Sequence, residues 1–155
     1  MAISKLNTLI LDIASGLRVA APQAILAEVI PQQTMSPSGS AETWLLGFLE
    51  WRGEQVPVID PGVACGYLAP EVEGIHRYAV LYALEHIVGL NYYAVPLSAI
   101  PHPVRVSAED VLTDDVSTPI LCPEVAATVQ IEGQSVTIPD FPYLEHQIEQ
   151  ELTRL

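Results

Sequence analysis

Positive charge is what this sequence has least of. Its 155 residues carry six Lys and Arg against nineteen Asp and Glu, a net charge of −13. Nucleic-acid phosphates and anionic membrane surfaces both demand basic patches, so neither is an expected partner. A neutral or basic protein surface fits better. Cysteine is nearly absent. Cys65 and Cys122 stand far apart, in no CxxC spacing, and read as reduced, partly buried thiols of a cytoplasmic protein. No run approaches 18 uninterrupted apolar residues, so no membrane span is expected, and the first residues have no apolar core of a signal peptide. Histidine is limited to His76, His86, His102 and His146, with no two at a ligand spacing and no HExxH. There is no GxSxG elbow, no P-loop and no GxGxxG. Catalytic, metal and cofactor chemistry all lack their residues, and the chain is expected to be a non-enzyme without a cofactor or metal.

What is present is apolar strand material. Hydrophobic residues make up 50% of the chain and charged residues 16%. A chain of this length can bury about 70% of its unfolded surface, enough for a core without staples. The surplus of apolar residues points to surface built for partners.

Two echoes organise the chain. The run from Trp44 to Leu49 leads through Arg52-Gly53-Glu54-Gln55 into Val56-Pro57-Val58-Ile59-Asp60, a hairpin pattern with Gly53 free to take positive φ. Eighty residues later Gly133, Val136 and Asp140 repeat Gly53, Val56 and Asp60. Arg18–Pro22 likewise resembles Tyr92–Pro96, both β-prone and ended by proline. The repeats predict two similar β lobes. Pro57 cannot donate to a ladder and is expected at an edge or bulge.

Between these landmarks the strands are short. Leu9–Ile13 and Leu17–Ala21 flank a turn at Ala14-Ser15-Gly16. Gln32–Ala41 reads as an exposed loop, disordered or used for contact. Val63–Tyr67 reads as a short helical turn and Leu68–Ile75 as a loop between lobes, which sets the lobe boundary near 68–76. Tyr78–Ala83 and Ile87–Val95 are strands with Glu85-His86 at their turn. Ser107 is a candidate cap for a turn at Ala108–Leu112. Val125–Ile131 and Val136–Pro139 form the second hairpin. Pro142 suits the first position of a closing helix, whose stripe is Leu144, Ile148, Leu152 and Leu155. The fold class is mainly β: small antiparallel barrels with a C-terminal α-helix.

Of the polar residues, Arg52 stands out. It sits at a hairpin tip between Glu50 and Glu54, beside Trp51. A local ion pair there is worth roughly 0–1 kcal/mol. The alternative is an anchor to a partner, since Arg and Trp are enriched in interface hot spots. Asp60 and Asp140 end strands, where such carboxylates accept local backbone N–H bonds. A general acid/base role would need them close in space. Glu109-Asp110 and Asp114-Asp115 lie in a polar loop with no Gly-spaced calcium ligands around them.

Taken in order, these segments resemble the CheW-like adaptor family of bacterial chemosensory systems. The resemblance is carried by Leu9–Ile13 with Leu17–Pro22, by Glu28-Val29-Ile30, by Val88-Gly89-Leu90 and by Gly133–Asp140. Its most specific part is Gly47 with Trp51-Arg52-Gly53 and Val56-Pro57-Val58-Ile59-Asp60. It covers nearly the whole chain and implies a single domain over residues 1–155, built of two five-stranded SH3-like barrels that share a core. It implies a scaffold that binds the regulatory domain of a CheA-type histidine kinase and the cytoplasmic tip of a chemoreceptor. Such a protein is cytoplasmic, recruited to membrane-associated receptor arrays, and monomeric alone. On that resemblance Arg52, Gly53 and Trp51 contact the partner. Val56, Pro57, Val58, Ile59, Asp60, Gly133 and Asp140 support the motif. Glu50 stands where the family has Asn, Pro61 where it has Leu, and Tyr92-Tyr93 where it has Val-Asp. These departures point to a divergent accessory member, such as those of type IV pilus systems. Two other readings compete: a small-ligand-binding double β-barrel without a kinase partner, and an enzyme built on Asp60 and Asp140.

Overall fold

The structure, a computed structural model, describes residues 6–106, 112–113 and 125–155. The expected turn at Ala108–Leu112, the acidic pairs Glu109-Asp110 and Asp114-Asp115, and Cys122 fall wholly or largely outside them. Twelve strands are described: β1 (Leu6–Asp12), β2 (Arg18–Pro22), β3 (Leu26–Pro31), β4 (Ser36–Pro37), β5 (Leu45–Trp51), β6 (Glu54–Ile59), β7 (Arg77–Ile87), β8 (Leu90–Leu97), β9 (His102–Val106), β10 (Leu112–Thr113), β11 (Val125–Ile131) and β12 (Gln134–Pro139). The helix α1 (Pro61–Ala64) follows β6, and α2 (Phe141–Arg154) follows β12.

The strands form two six-stranded sheets. One runs β3-β7-β8-β6-β5-β4 and the other β9-β1-β2-β12-β11-β10. Written this way, they match position by position. Each has one parallel contact at its centre, Val58 with Ala94 in the first and Thr137 with Val19 in the second. These contacts join the two echoes seen in sequence: β6 and β12 carry the Gly-Val-Asp pattern, and β8 and β2 carry the Pro-ended one. The hairpin β1–β2 therefore holds in its sheet the place that β7–β8 holds in the other. The expected boundary at 68–76 falls between β6 and β7, which are strands of one sheet; the chain changes sheet after β2 and after β8.

Among the described residues the ladders give two six-stranded sheets and no closed ring, so the structure shows the expected mainly β fold with its C-terminal helix and not the finer expectation of five-stranded SH3-like barrels. The described parts of the edge strands β4 and β10 are two residues each. Pro103 sits on the edge strand β9, where its missing N–H costs no ladder bond. Pro57 lies inside the sheet, opposite Phe48. The parallel pairing of β6 with β8 begins only one residue later, at Val58.

Two further expectations shift. Glu85-His86 is not a turn. It lies within β7 where the register with β8 slips, and Val88-Gly89 makes the turn, with Gly89 at φ 87°. Gln32–Ala41 is largely exposed but follows a defined course, pairing Ser36 with Phe48 and donating a Ser40 hydroxyl bond to Glu151. Cys65 is disulfide-bonded rather than a reduced thiol. Sequence spacing carries no signal for a disulfide made by folding.

Apolar side chains divide among three clusters. Each sheet packs one face into its own core: Leu49, Trp51, Val56, Val58, Tyr78, Val80 and Ala94 in the first, and Ile10, Ala20, Val104, Val129, Ile131 and Val136 in the second. The opposite faces meet in a shared core with α2, through Leu9, Leu11, Val19, Ile59, Leu81, Tyr93, Leu144 and Ile148. The central strands are covered on both sides, which is why Tyr78-Ala79-Val80-Leu81 reads as continuous apolar sequence instead of alternating.

Candidate docking surface

Arg52 and Gly53 are the two residues between β5 and β6, and both take left-handed conformations, φ 50° and 76°. That is the two-residue hairpin turn whose twist matches its strands. Glycine meets it without cost; arginine has a Cβ that disfavours it. The side chain is nonetheless well placed. Its guanidinium lies 4.6 Å from the Trp51 ring centroid and donates to Glu28 Oε1 at 3.0 Å. Glu28 is on β3, separated from the β5–β6 hairpin by β7 and β8 in the strand order, so the sheet curls to bring the pair together. The expected neighbours Glu50 and Glu54 are not the ion-pair partners.

Trp51 is buried, edge-on to Tyr92 at 4.8 Å, and Tyr92 meets Tyr82 at 5.4 Å. It supports the tip from within the core and is not itself a surface group. The surface beside it is made by half-exposed Tyr82 and Leu84 and by Val88, which is fully exposed. Val56, Val58 and Ile59 are wholly buried beneath the hairpin.

Asp60 has no exposed surface. Its Oδ1 accepts from Gly62 N at 2.9 Å and Val63 N at 3.3 Å, capping α1, and from the Ser15 hydroxyl at 2.5 Å. Ser15 belongs to the β1–β2 turn, so this carboxylate ties one sheet to the other. A Cβ on Gly62 would collide with the Ser15 hydroxyl, which is why glycine is needed there. Burial pushes the Asp60 carboxyl above its ordinary value, and the Ser15 and backbone bonds pull it partly back. Asp140 caps α2 by accepting from Tyr143 N at 3.1 Å. Gly133 lies in the matching turn with Glu132, at φ 77° and 53°. Each aspartate is committed to its own helix, so the geometry offers no shared acid–base pair.

One residue behind this surface escaped the sequence reading. Glu145 of α2 is fully buried and accepts from Leu84 N at 2.8 Å, Glu85 N at 2.8 Å and the Tyr93 hydroxyl at 3.1 Å. Those amides are freed by the register slip in β7. Burial, then the Glu145 charge and its hydrogen bond, push the Tyr93 phenol well above its ordinary range. The signal was present: Phe141, Glu145, Ile148 and Leu152 are spaced four, three and four, so Glu145 interrupts an apolar line.

Among the described residues no group of three or more His, Cys, Asp or Glu is placed to hold a metal, and no helix is long and apolar enough to cross a membrane.

The scaffolding protein TtCheW from Thermoanaerobacter tengcongensis has a similar fold, with a TM-score of 0.65 over 90% of this chain and 86% of that one, at 12% identity. No curated protein matches the sequence significantly. The family model of the CheW-like domain matches residues 9–149. The chain belongs to the CheW-like domain family.

Proposed function

We propose that the protein is a non-enzymatic adaptor that links chemoreceptors to a CheA-type histidine kinase in a bacterial chemosensory array. The observation that carries this reading is the β5–β6 tip: an arginine held in a disfavoured backbone conformation, stacked on a buried tryptophan and pinned across the sheet by Glu28. Such a group is charged, outward-facing and set on a buried aromatic base, which suits recognition. The regulatory domain of the kinase docks on this tip and on the neighbouring Tyr82, Leu84 and Val88. The receptor's cytoplasmic tip takes a second face, and two unlike faces can extend an array through heterologous contacts. Kinase output then follows differential contacts in its two states. The protein works in the cytoplasm, as a monomer until recruited to membrane-associated receptors. An accessory role in type IV pilus control rests on Glu50, beside the tip, and Pro61, at the start of α1, where the chain departs from the family pattern.

The small-ligand reading has less behind it. The cavity beside α2, about 270 Å³, is below the roughly 300–1,000 Å³ of metabolite sites.

Calorimetric titration against the isolated regulatory domain of the host's CheA-type kinase tests the proposal. Micromolar binding that weakens in Arg52→Ala, with melting nearly unchanged, is expected. No binding by the folded protein would remove the kinase from the reading.

A further inference from the structure

The segment before β5, the helix α1 and the last turns of α2 line a half-open cavity of about 270 Å³. Trp44, Glu42, Gln147, Gln150, Glu151 and Arg154 contribute to its wall. Glu151 sets its chemistry. It is only 5% exposed, and it lies near the C-terminus of a helix, where a negative charge opposes the dipole. A carboxylate buried there has to be paired. One oxygen accepts from the Ser40 hydroxyl at 2.6 Å and the other from the Arg154 guanidinium at 3.1 Å. The second bond is one-sided. Arg154 is 66% exposed, stands in the final turn of α2, and pairs three residues back with a carboxylate that is out of water. An incoming cation can take the place of a guanidinium that stands mostly in solvent, provided that it pairs the buried carboxylate in turn.

We propose that this cavity is an anchoring pocket for an arginine side chain of a partner protein, with Glu151 as its receiving carboxylate and Arg154 as the resident cation that the incoming group displaces. Three observations select this occupant. The volume suits one side-chain head and is small for a metabolite. The wall holds two carboxylates against one guanidinium, in a chain of net charge −13, which complements a cationic partner. And the group already seated on Glu151 is a guanidinium, so the carboxylate is presented to a cation from the pocket side. No residue of the Arg52 tip takes part, and the site stands whether or not the kinase is a partner.

The test uses the full chain and N-acetyl-arginine amide as probe. N-acetyl-citrulline amide, the same shape without the charge, is the control, and spermidine stands for a free amine. Amide chemical shifts of Gln147 to Arg154 and Trp44 fluorescence report binding. The arginine probe is expected to bind on the order of millimolar, as befits a single side chain, and the citrulline probe not to bind. Glu151→Gln is expected to weaken it about tenfold or more. Arg154→Ala is expected to tighten it about two- to fivefold, because the tethered competitor is gone. That opposite sign separates a pocket from a merely structural carboxylate; Ser40 still donates to Glu151 in Arg154→Ala, and thermal melting of each variant checks that it is folded before binding is read. Equal binding of citrulline, weaker or unchanged binding in Arg154→Ala, or binding of spermidine in place of the arginine probe would each overturn the proposal.

Discussion

The two sheets share a plan and differ in what their equivalent parts do. Both have a two-residue turn with a non-glycine residue at positive φ, and both follow the second hairpin strand with an aspartate that caps a helix. In one sheet the turn residue is Arg52, stacked on tryptophan and held by Glu28; in the other it is Glu132. Asp60 caps a helix of four residues and also holds Ser15 of the other sheet, whereas Asp140 caps one of fourteen and, among the described residues, shows the cap bond alone. The Gly-Val-Asp pattern thus encodes the hairpin and the cap. Neighbouring elements decide whether a tip faces a partner and whether a cap also joins the sheets.

The largest effect should come from the feature that only one sheet has. Glu145 reaches the slip in β7 because α2 is long; α1 is too short to supply a counterpart. Glu145→Ala leaves two amides and the Tyr93 hydroxyl without their acceptor, and each buried group left unpaired costs about 1–3 kcal/mol. A loss of about 3 kcal/mol or more in urea unfolding is expected, with hydrogen exchange at Leu84 and Glu85 rising first. A loss under about 1 kcal/mol would mean that water replaces the carboxylate and that α2 does not hold the β7–β8 hairpin.

The two caps come next. Asp140→Ala should cost about 1 kcal/mol, the ordinary worth of a cap. Asp60→Ala should cost about 2 kcal/mol or more, because Ser15 loses its acceptor too. Equal losses would break the distinction between a cap and a cap that joins sheets.

Asp60 also gives a pH signature. Its folded carboxyl binds a proton more tightly than the unfolded one, so the folded state holds more protons just above pH 3.8. Its contribution to stability is therefore greatest below that pH and declines as pH rises through the raised folded value. Asp60→Asn keeps an oxygen for the cap and has no charge to bury. Its melting temperature relative to the parent should be higher at pH 7 than at pH 3.5. The opposite trend would show that the Ser15 and backbone bonds outweigh burial.

Much of this was legible in the sequence, and what was not has physical causes. The hairpins, the prolines that end β2 and β8, and the closing helix follow from local pattern, because turn chemistry and the apolar period are local. The pairing of β1–β2 with strands from the other end of the chain is not local. The resemblance of Arg18–Pro22 to Tyr92–Pro96 marks β2 and β8 as equivalent strands, but not which strands pair with them. Trp51 was read as surface because it adjoins Arg52, yet consecutive residues at a strand end point opposite ways. The partner of Arg52 is Glu28, 24 residues earlier, where no i,i+3 or i,i+4 rule reaches. Burial of Glu145 and Glu151 has no local signal, because Leu84, Glu85, Tyr93 and Ser40, which pair them, lie on distant segments.

The smallest stability effects bear most directly on function. Asparagine tolerates left-handed backbone and Asn-Gly is the preferred sequence for this turn. Glu132→Asn should therefore stabilise the second sheet by about 0.5 kcal/mol, the scale of relief at such a position. Arg52→Asn gains the same relief but loses the contact with Glu28, worth roughly 0–1 kcal/mol at this exposure, so its net change should lie near zero. The two variants should then part company in binding. Glu132→Asn should leave titration with the kinase regulatory domain unchanged, and Arg52→Asn should weaken it. Glu28→Ala should fall between, because the guanidinium stays on Trp51 but is no longer fixed across the sheet. If both turn substitutions stabilise equally and neither alters binding, Arg52 is an unoptimised turn residue and the strain at the tip serves no partner. If only Arg52→Asn loses binding, the disfavoured backbone is kept because it aims the one guanidinium that the partner reads.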